Sequence, residues 1–484
     1  MSGSPVWVDG KLIGAVALAF PFAKEPIAGI RPIEEMLAEP VVSGPNTNRA
    51  EVKLGESRLV EVATPVSFSG FTGRAIEHFA PEWRKLGMEP LQGIGGQAAS
   101  TSTGQASSAK VEPGSMISVQ LLTGDLSIGA DGTVTHVDGK NLYAFGHRFL
   151  STGTSAMPFA RSEVITLLPN LSTSFKISAS REWLGSITQD GNAAITGVMG
   201  EKVPMIPVRV DVKGAARNSS YNMEMIQSPA LSPFLLQMVM FSALDGTERA
   251  LGSTTVSVRG QVNFEGGLPP LEIDQVYAGD FNTPVIAALG TVSPVSFLLQ
   301  SSQDPIRIRN VAITAQAVET RKMWQIEQLS ASKKEASPGE EIEITVALSG
   351  DQGRTEVRRM KYQIPDGSPV GPLQITAGDA TSTNLAENRS LLTMGTRPPA
   401  QLISVLNSLR KNSGAYLRVW RQDPAFNMGG VDYTNLPAGL SMLLARAQQP
   451  GVLTAQGTKL TEFEIDLHDA VVTGSRTIQI EVKE

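Results

Sequence analysis

Close to its start, the chain contains the sequence Val6-Trp7-Val8-Asp9-Gly10-Lys11-Leu12-Ile13-Gly14-Ala15-Val16, and this stretch decides the fold class. Asp-Gly between two apolar runs is a strong signal of a β-hairpin, because its two-residue turn needs positive φ values that these residues accept. A second such turn, at Asp138-Gly139, joins residues 133–135 to residues 142–145. Elsewhere short runs of Val, Ile and Thr alternate with turns built from 46 Gly and 30 Pro. The sequence therefore predicts a mainly β protein with a few short helices.

The composition excludes several classes of function. The net charge is -6 and no Lys/Arg-rich run occurs, so we expect no nucleic-acid partner. Cysteine is absent and the four histidines are scattered, which predicts no disulfide, no metal site and no cofactor. The longest early apolar run covers only residues 12–20, whereas a membrane span needs roughly 20 residues, so we expect no integral membrane segment. No signal peptide is recognised in the sequence as written.

The length of 484 residues predicts two or three domains. A linker rich in Gly, Ser and Ala is predicted at residues 91–112, between a first part at 1–90 and a β-rich part at 113–324. Residues 325–484 are interpreted as a separate β-rich domain with helices, of unknown role. Apolar residues at helical spacing predict helices at about 73–86, 233–244, 399–410 and 436–446.

Ser2-Gly3-Ser4-Pro5 is the first candidate for chemistry. A serine becomes a nucleophile when a base takes its proton and nearby N–H groups stabilise the oxyanion. A glycine-containing turn projects the hydroxyl and lets backbone amides converge. The alternative is an ordinary polar turn that precedes a strand.

The opening motif Met1-Ser2-Gly3-Ser4-Pro5, continued by the Asp-Gly hairpin and by residues 24–29 and 32–37, resembles the SpoIVB-type serine peptidase family, named for the stage IV sporulation protein B. The hallmark of that family is Gly-Met-Ser-Gly-Ser-Pro, which is similar to Gly-Asp-Ser-Gly-Gly-Pro of chymotrypsin-like peptidases. The resemblance implies a chymotrypsin-like antiparallel β-barrel in the peptidase region. It makes Ser2 the nucleophile, and Ser4 takes the position of the second glycine. The amides of Ser2 and Gly3 are the implied oxyanion donors.

A second family signature is a strand pair that ends in Gly-His, here residues 132–135 followed by Ala144-Phe145-Gly146-His147. The resemblance makes His147 the general base, a role that suits an imidazole with a reference pKa of about 6.5. A hydrogen-bonded structural histidine is the alternative. The serine motif precedes the histidine motif here, the reverse of their order in the sporulation peptidase. Catalytic geometry does not depend on chain order.

The hallmark glycine and the acidic residue that precede the serine motif in the family are not in this sequence, so we expect an N-terminally truncated form with little or no activity. Candidate acids within the chain are Asp190, Asp138 and Asp125, with Asp190 carried forward as the third catalytic residue. Turn or surface roles are the alternative for each of these carboxylates. The remaining histidines, His78, His136 and His468, are expected to face solvent; His468 lies between two aspartates and could bind a cation.

The resemblance therefore implies a serine endopeptidase that cleaves protein or peptide substrates and can process itself. It also implies a protein that is periplasmic, at the cell surface or secreted. The alternative is a catalytically impaired peptidase fold that serves as a scaffold or binding protein and has partners in the cell envelope. A carbohydrate-binding role is disfavoured, because the 5 Trp and 6 Tyr suggest no aromatic platform.

Overall fold

The structure is a computed structural model. It describes residues 2–20, 27–38, 51–54, 57–93, 110–168, 175–214, 217–247, 251–392, 397–421, 425–428, 431–434, 436–446, 452–455 and 457–484. Of the predicted linker at 91–112, residues 94–109 lie outside these ranges.

Strands and helices alternate irregularly along the chain. The first group of elements is β1 Pro5–Val8, β2 Lys11–Ala19, β3 Ala28–Pro32, α1 Ile33–Leu37, β4 Glu51–Leu54, β5 Ser57–Glu61, β6 Thr64–Ser69, α2 Gly73–Lys85, β7 Met88–Gln92, β8 Met116–Gly124, β9 Ser127–Asp138, β10 Asn141–Ala144, β11 Gly153–Leu168, β12 Phe175–Asp190, β13 Ile195–Met199, β14 Ile206–Lys213, β15 Asn218–Met225, α3 Leu231–Thr247, β16 Leu251–Phe264, β17 Leu271–Phe281, α4 Thr283–Ser301 and β18 Ile308–Val318.

The second group of elements is β19 Met323–Ala331, β20 Glu335–Ala336, β21 Glu341–Gly350, a 3₁₀ turn Asp351–Gly353, β22 Thr355–Gln363, β23 Gly371–Asp379, α5 Ala380–Leu392, α6 Pro399–Asn407, β24 Gly414–Arg421, β25 Ala425–Met428, β26 Val431–Thr434, α7 Ala438–Arg446, β27 Val452–Ala455, β28 Thr458–Asp466, β29 Val471–Thr473 and β30 Ser475–Val482. The fold is mainly β, as the sequence predicts.

Both Asp-Gly hairpins are present. β1 and β2 pair antiparallel around Asp9 and Gly10, whose φ angles are 48° and 75°. β9 and β10 pair around Gly139, which has a φ of 59°. These local predictions are confirmed because a two-residue turn between apolar strands leaves the chain few other conformations.

Six strands of the largest sheet close into a ring. The order β8-β11-β12-β13-β10-β9 returns to β8 through the β8–β9 pairing, and every pairing in this ring is antiparallel. We call these strands the six-stranded ring. The same sheet extends from β9 through β6 and β7, and from β8 through β15, β14, β18, β16 and β17.

Three helices close the core beside this sheet. α2 begins at Thr72, whose hydroxyl accepts a hydrogen bond from the Ala75 amide at 3.2 Å. Its apolar face packs on α3, where the Trp83 ring nitrogen lies 3.3 Å from the Met238 sulfur. α3 is buried along most of its length and also packs on α4. Because burial selects residues on all its sides, α3 is apolar all round rather than amphipathic.

α4 is the one helix of the described residues with the length and hydropathy of a membrane span. It packs on α3, β16 and β17 and buries Val295 and Leu298 in the protein core. A core helix passes the same test of length and composition, so α4 is weak evidence for a membrane segment.

A second hydrophobic core lies in the C-terminal region, between a four-stranded sheet β22-β21-β19-β29 and a five-stranded sheet β20-β30-β23-β24-β28. Buried and more exposed side chains alternate along β21, which buries Ile342, Ile344 and Val346. The chain returns to the first core at α6 through Leu402 and Ile403.

The predicted helices at 73–86, 233–244, 399–410 and 436–446 correspond to α2, α3, α6 and α7. Two helices, α4 and α5, escaped prediction. α4 contains Gly290 and Pro294 in its interior, where both residue types are unfavourable in an isolated helix. Burial against α3 and β17 stabilises it nonetheless, so the expectation of only short helices is corrected by α3 and α4.

Candidate functional site

The serine motif lies alongside β2. The Gly3 amide donates to the Val16 carbonyl at 2.9 Å, and the Val16 amide donates to the Ser4 carbonyl at 3.0 Å. The Thr135 hydroxyl of β9 donates to the Gly3 carbonyl at 2.8 Å. Hydrogen bonds from two different sheets therefore hold this segment, and Ser2 is only 6% exposed.

Glycine is required at position 3. Its φ is +78°, in the left-handed region, and a Cβ there would lie 2.3 Å from the Thr133 carbonyl oxygen and 2.8 Å from the Phe145 nitrogen. Any side chain would push the serine motif away from β9 and from the turn that follows β10. Gly3 thus allows backbone contact between segments more than 140 residues apart.

The histidine motif follows β10 in a tight turn. Phe145 and Gly146 have φ angles of 76° and 73°, and a positive φ is unusual for an aromatic residue. A Cβ on Gly146 would lie 2.9 Å from the Ala15 Cβ and 3.6 Å from the Gly3 nitrogen. The turn that carries His147 therefore meets the serine motif through two glycines, so the backbone segments that carry Ser2 and His147 are in contact.

His147 is buried, with 2% exposure, and its ring orientation is held by a main-chain group. The ring Nδ1 lies 2.7 Å from the Arg148 carbonyl oxygen. A carbonyl can only accept, so Nδ1 carries the proton in this hydrogen bond. In the neutral ring Nε2 is then the basic nitrogen, the tautomer that a general base acting through Nε2 requires.

Asp190, the predicted third catalytic residue, binds the loop that follows His147. Its carboxylate accepts hydrogen bonds from the amides of Phe149, Leu150 and Thr152 at 3.2, 2.9 and 3.2 Å. The Thr152 hydroxyl adds another at 3.1 Å. Asp190 thus anchors the loop after His147, while the Nδ1 partner is the Arg148 carbonyl; this position corrects its assignment as the acid on the histidine.

Burial and hydrogen bonding shift the pKa of the Asp190 carboxyl in opposite directions. Desolvation raises the pKa of its carboxyl, and the hydrogen bonds from the loop at Phe149, Leu150 and Thr152 lower that pKa in part.

A second buried carboxylate holds the same loop from the other side. Glu61, at the end of β5, lies 3.2 Å from the Arg148 Nε and 3.8 Å from an Arg31 guanidinium nitrogen. β5 also pairs with β2, the strand that holds the serine motif. The Glu61–Arg148 ion pair, which sequence reasoning missed, therefore ties the histidine turn to the sheet that carries Ser2.

The two predicted oxyanion donors are the backbone amides of Ser2 and Gly3. The Gly3 amide is engaged by the Val16 carbonyl, so it does not point into a space that a substrate carbonyl could share. This corrects the assignment of Gly3 as a donor, and the Ser2 amide stays a prediction. The reason is that Gly3 continues the pairing pattern of β2, which takes up its N–H.

The other candidate residues from the sequence lie away from the contact between the serine and histidine motifs or in hairpin turns. Asp125 accepts a hydrogen bond from the Asn222 amide at 2.7 Å, which ties β15 to the end of β8. Asp138 is exposed at the β9–β10 hairpin. His136 stacks on Tyr143, its cross-strand neighbour.

The two remaining histidines are exposed, as expected: His78 on α2, and His468 with its Nδ1 2.9 Å from Asp466. Within the described ranges, no three His, Asp or Glu side chains come together as a metal site.

Comparison with known proteins gives no relative. The chain matches no protein-family model, no curated protein and no solved structure. The class that the coordinates define is a mainly β protein in which a Ser-Gly motif and a Gly-His turn meet beside a closed antiparallel ring.

Proposed function

We propose that this protein is a serine peptidase-like hydrolase in which Ser2 is the nucleophile and His147 the general base. The observation that carries the proposal is the close backbone approach of the two motifs, which glycine permits at Gly3 and Gly146. A structural turn has no need for a serine and a histidine at such a junction. The tautomer of His147, with its proton on Nδ1, adds support because it leaves Nε2 basic.

The six-stranded ring fits the same proposal. Chymotrypsin-like peptidases use closed antiparallel barrels, and here the histidine turn leaves the ring at the end of β10. The serine motif approaches from the separate sheet of β1 and β2. We propose that the ring is the counterpart of such a barrel, with the reacting groups at its junction with the N-terminal sheet.

The proposed reaction is acyl transfer to water. The Ser2 hydroxyl oxygen attacks the scissile carbonyl while its proton passes to His147 Nε2. The protonated imidazole then gives that proton to the leaving amine as the C–N bond breaks, which leaves an ester on Ser2. Water, deprotonated by the same nitrogen, releases the acid. The Ser2 amide is the proposed oxyanion donor, and the family resemblance implies protein or peptide substrates.

Active-site labelling with a fluorophosphonate tests the proposal on the full chain. We expect covalent labelling of the wild-type protein at Ser2, none for Ser2→Ala, and a rate at least about 100-fold lower for His147→Gln. Ser4→Ala is the matched control, because it removes a serine of the same motif and should leave labelling intact. Wild-type protein that is folded but unlabelled would contradict the proposal.

A non-catalytic scaffold is the second candidate. It is favoured by two observations: Ser2 and His147 are both buried, and the Gly3 amide is engaged within the protein. On this alternative, the junction of the two motifs only holds the N-terminal sheet on the ring. Ser2→Ala would then leave partner binding unchanged, and neither protein would react with the fluorophosphonate.

A further inference from the structure

A second polar site lies inside the sheet, around Asp131 in the middle of β9. Asp131 is 3% exposed. The Ser67 hydroxyl of β6 donates to one carboxylate oxygen at 2.9 Å, and the Ser162 hydroxyl of β11 approaches the other at 3.4 Å. The carboxylate is therefore surrounded by hydroxyl groups from neighbouring strands and is largely shielded from bulk water.

Two further serine hydroxyls lie beside the carboxylate. Ser118 on β8 and Ser178 on β12 are buried, and their oxygens have no hydrogen-bond partner of good geometry among the described residues. Both come close enough to Asp131 to lower the pKa of its carboxyl, against the larger effect of burial, which raises it. Buried hydroxyls without partners are uncommon, because each loses its hydrogen bonds to water.

These groups border a small cavity. Its volume is about 20 Å³, and its polar lining includes Asp131, Ser67, Ser178, Ser180 and Gln120. A cavity needs roughly 10–15 Å³ on this measure to hold one water-sized particle. The cavity therefore has room for a single water molecule or a single small ion.

One ionisable side chain lines this cavity. Of the lining residues in the described part of the chain, Asp131 is the only ionisable one. Lys176, on the neighbouring β12, instead approaches the Thr133 hydroxyl and the Met116 sulfur, each at 3.4 Å. A buried ionised carboxylate is strongly unfavourable, so such a group either takes up a proton or is accompanied by a cation.

We propose that the Asp131 cavity binds one Na⁺ ion, held by the carboxylate and by serine hydroxyl oxygens. Oxygen ligands suit hard cations. A single carboxylate balances one positive charge, whereas divalent cations in proteins are usually held by several acidic groups. The small volume favours Na⁺ over K⁺. The ion joins β6, β8, β9, β11 and β12 at one point and so stabilises the closed ring.

Thermal unfolding of the full chain tests this. NaCl replaces choline chloride at constant ionic strength and pH 7.5, and Tm is followed by calorimetry. We expect a saturable rise of about 2–5 °C in the wild type, smaller in KCl, because a ligand that binds only the folded state stabilises it. Asp131→Asn should show no Na⁺-specific rise. Asp190→Asn, the matched change at another buried aspartate, should keep the rise.

A ligand variant makes the test independent of whether Asp131→Asn folds. Ser178→Ala keeps the carboxylate and removes one neutral oxygen, so the midpoint of the Na⁺ titration should move to a concentration about 2–10-fold higher. Equal Tm in Na⁺ and choline, an equal response to K⁺, or a full response in Asp131→Asn would each overturn the proposal. None of these readouts depends on Ser2 or His147.

Discussion

Two aspartates buried in the same ring are supported in different ways. Asp190, at the end of β12, is inaccessible and accepts hydrogen bonds from three backbone amides. Asp131, in the middle of β9, is almost as buried but meets only side-chain hydroxyls. Burial raises the pKa of both carboxyls.

The difference lies in what the donors can do. A backbone N–H can only donate, and its position is set by the chain, so the amides at Phe149, Leu150 and Thr152 are a fixed set of donors to the Asp190 carboxylate. A serine hydroxyl rotates and can either donate or accept. The first arrangement fixes a loop beside His147, and the second can adapt to a proton, a water or an ion.

Removing the Asp190 carboxylate should give the largest effect. Asp190→Ala leaves one buried and two part-buried amides without acceptors, and each such loss costs about 1–3 kcal/mol, so we expect the free energy of unfolding to fall by about 3–5 kcal/mol. Guanidinium unfolding measures this. A decrease of less than about 1 kcal/mol in the free energy of unfolding would show that the loop amides find other acceptors, and it would contradict the difference drawn between Asp190 and Asp131.

Asp190→Asn is a smaller change at the same position, because the asparagine side chain keeps one acceptor oxygen. One carboxylate oxygen accepts from both Leu150 and Thr152, and the other accepts from Phe149. The asparagine oxygen can serve the first pair, but its amino group then faces the Phe149 amide, so two donors oppose each other. We expect a loss intermediate between wild type and Asp190→Ala, about 1–2 kcal/mol.

Removing the negative charge of Glu61 should also lower the free energy of unfolding. Glu61→Gln leaves Arg148 and Arg31 without their shared negative charge in a largely buried position, so we expect a loss of about 1–3 kcal/mol in unfolding free energy. Glu35→Gln is the matched control: Glu35 also pairs with Arg31, at 2.9 Å, but its side chain is 52% exposed, and we expect about 0.5 kcal/mol or less. Equal losses would show that burial does not set the strength of these pairs.

The residues that could be predicted from the sequence are those whose conformation is local. Asp9-Gly10 and Asp138-Gly139 specify their hairpins because two adjacent residues determine the turn. Ser2 and His147 could be named from motifs, and the backbone segments that carry them are in contact at Gly3 and Gly146. Asp190 could be named as a carboxylate near the site, but its partners depend on the path of residues 149–152, which no local pattern reveals.

The Asp131 site was beyond sequence reasoning for a related reason. Its hydroxyls come from Ser67, Ser118, Ser162 and Ser178, each on a different strand, and isolated serines in strands carry no motif. The one usable signal is an aspartate inside a run of small and apolar residues, because buried aspartates need partners. Register between strands then decides which partners meet.

The smallest effect is the pH dependence at Asp131, measured as the difference between wild type and Asp131→Asn in choline chloride. Its pKa is raised above the ordinary value of 3.8, so the neutral carboxyl stabilises the folded protein. That contribution is fully present below about pH 4 and is lost as pH rises through the folded pKa. Asparagine does not titrate, so Asp131→Asn should gain stability relative to wild type as pH rises from 4 to 7, by about 1.4 kcal/mol for each unit of pKa difference.

Measuring the same pH dependence in NaCl shows whether Na⁺ binds the ionised carboxylate of Asp131. Lys176 is present in both proteins, so its titration cancels in the difference as long as its environment is unchanged. If the cavity takes Na⁺, the ion stabilises the ionised carboxylate and the wild type loses less stability with rising pH in NaCl than in choline chloride. At Asp190, where fixed amides occupy the carboxylate, the difference between wild type and Asp190→Asn should be the same in both salts. An equal salt response at the two sites would mean that hydroxyl and amide donors are equivalent partners for a buried carboxylate in this protein.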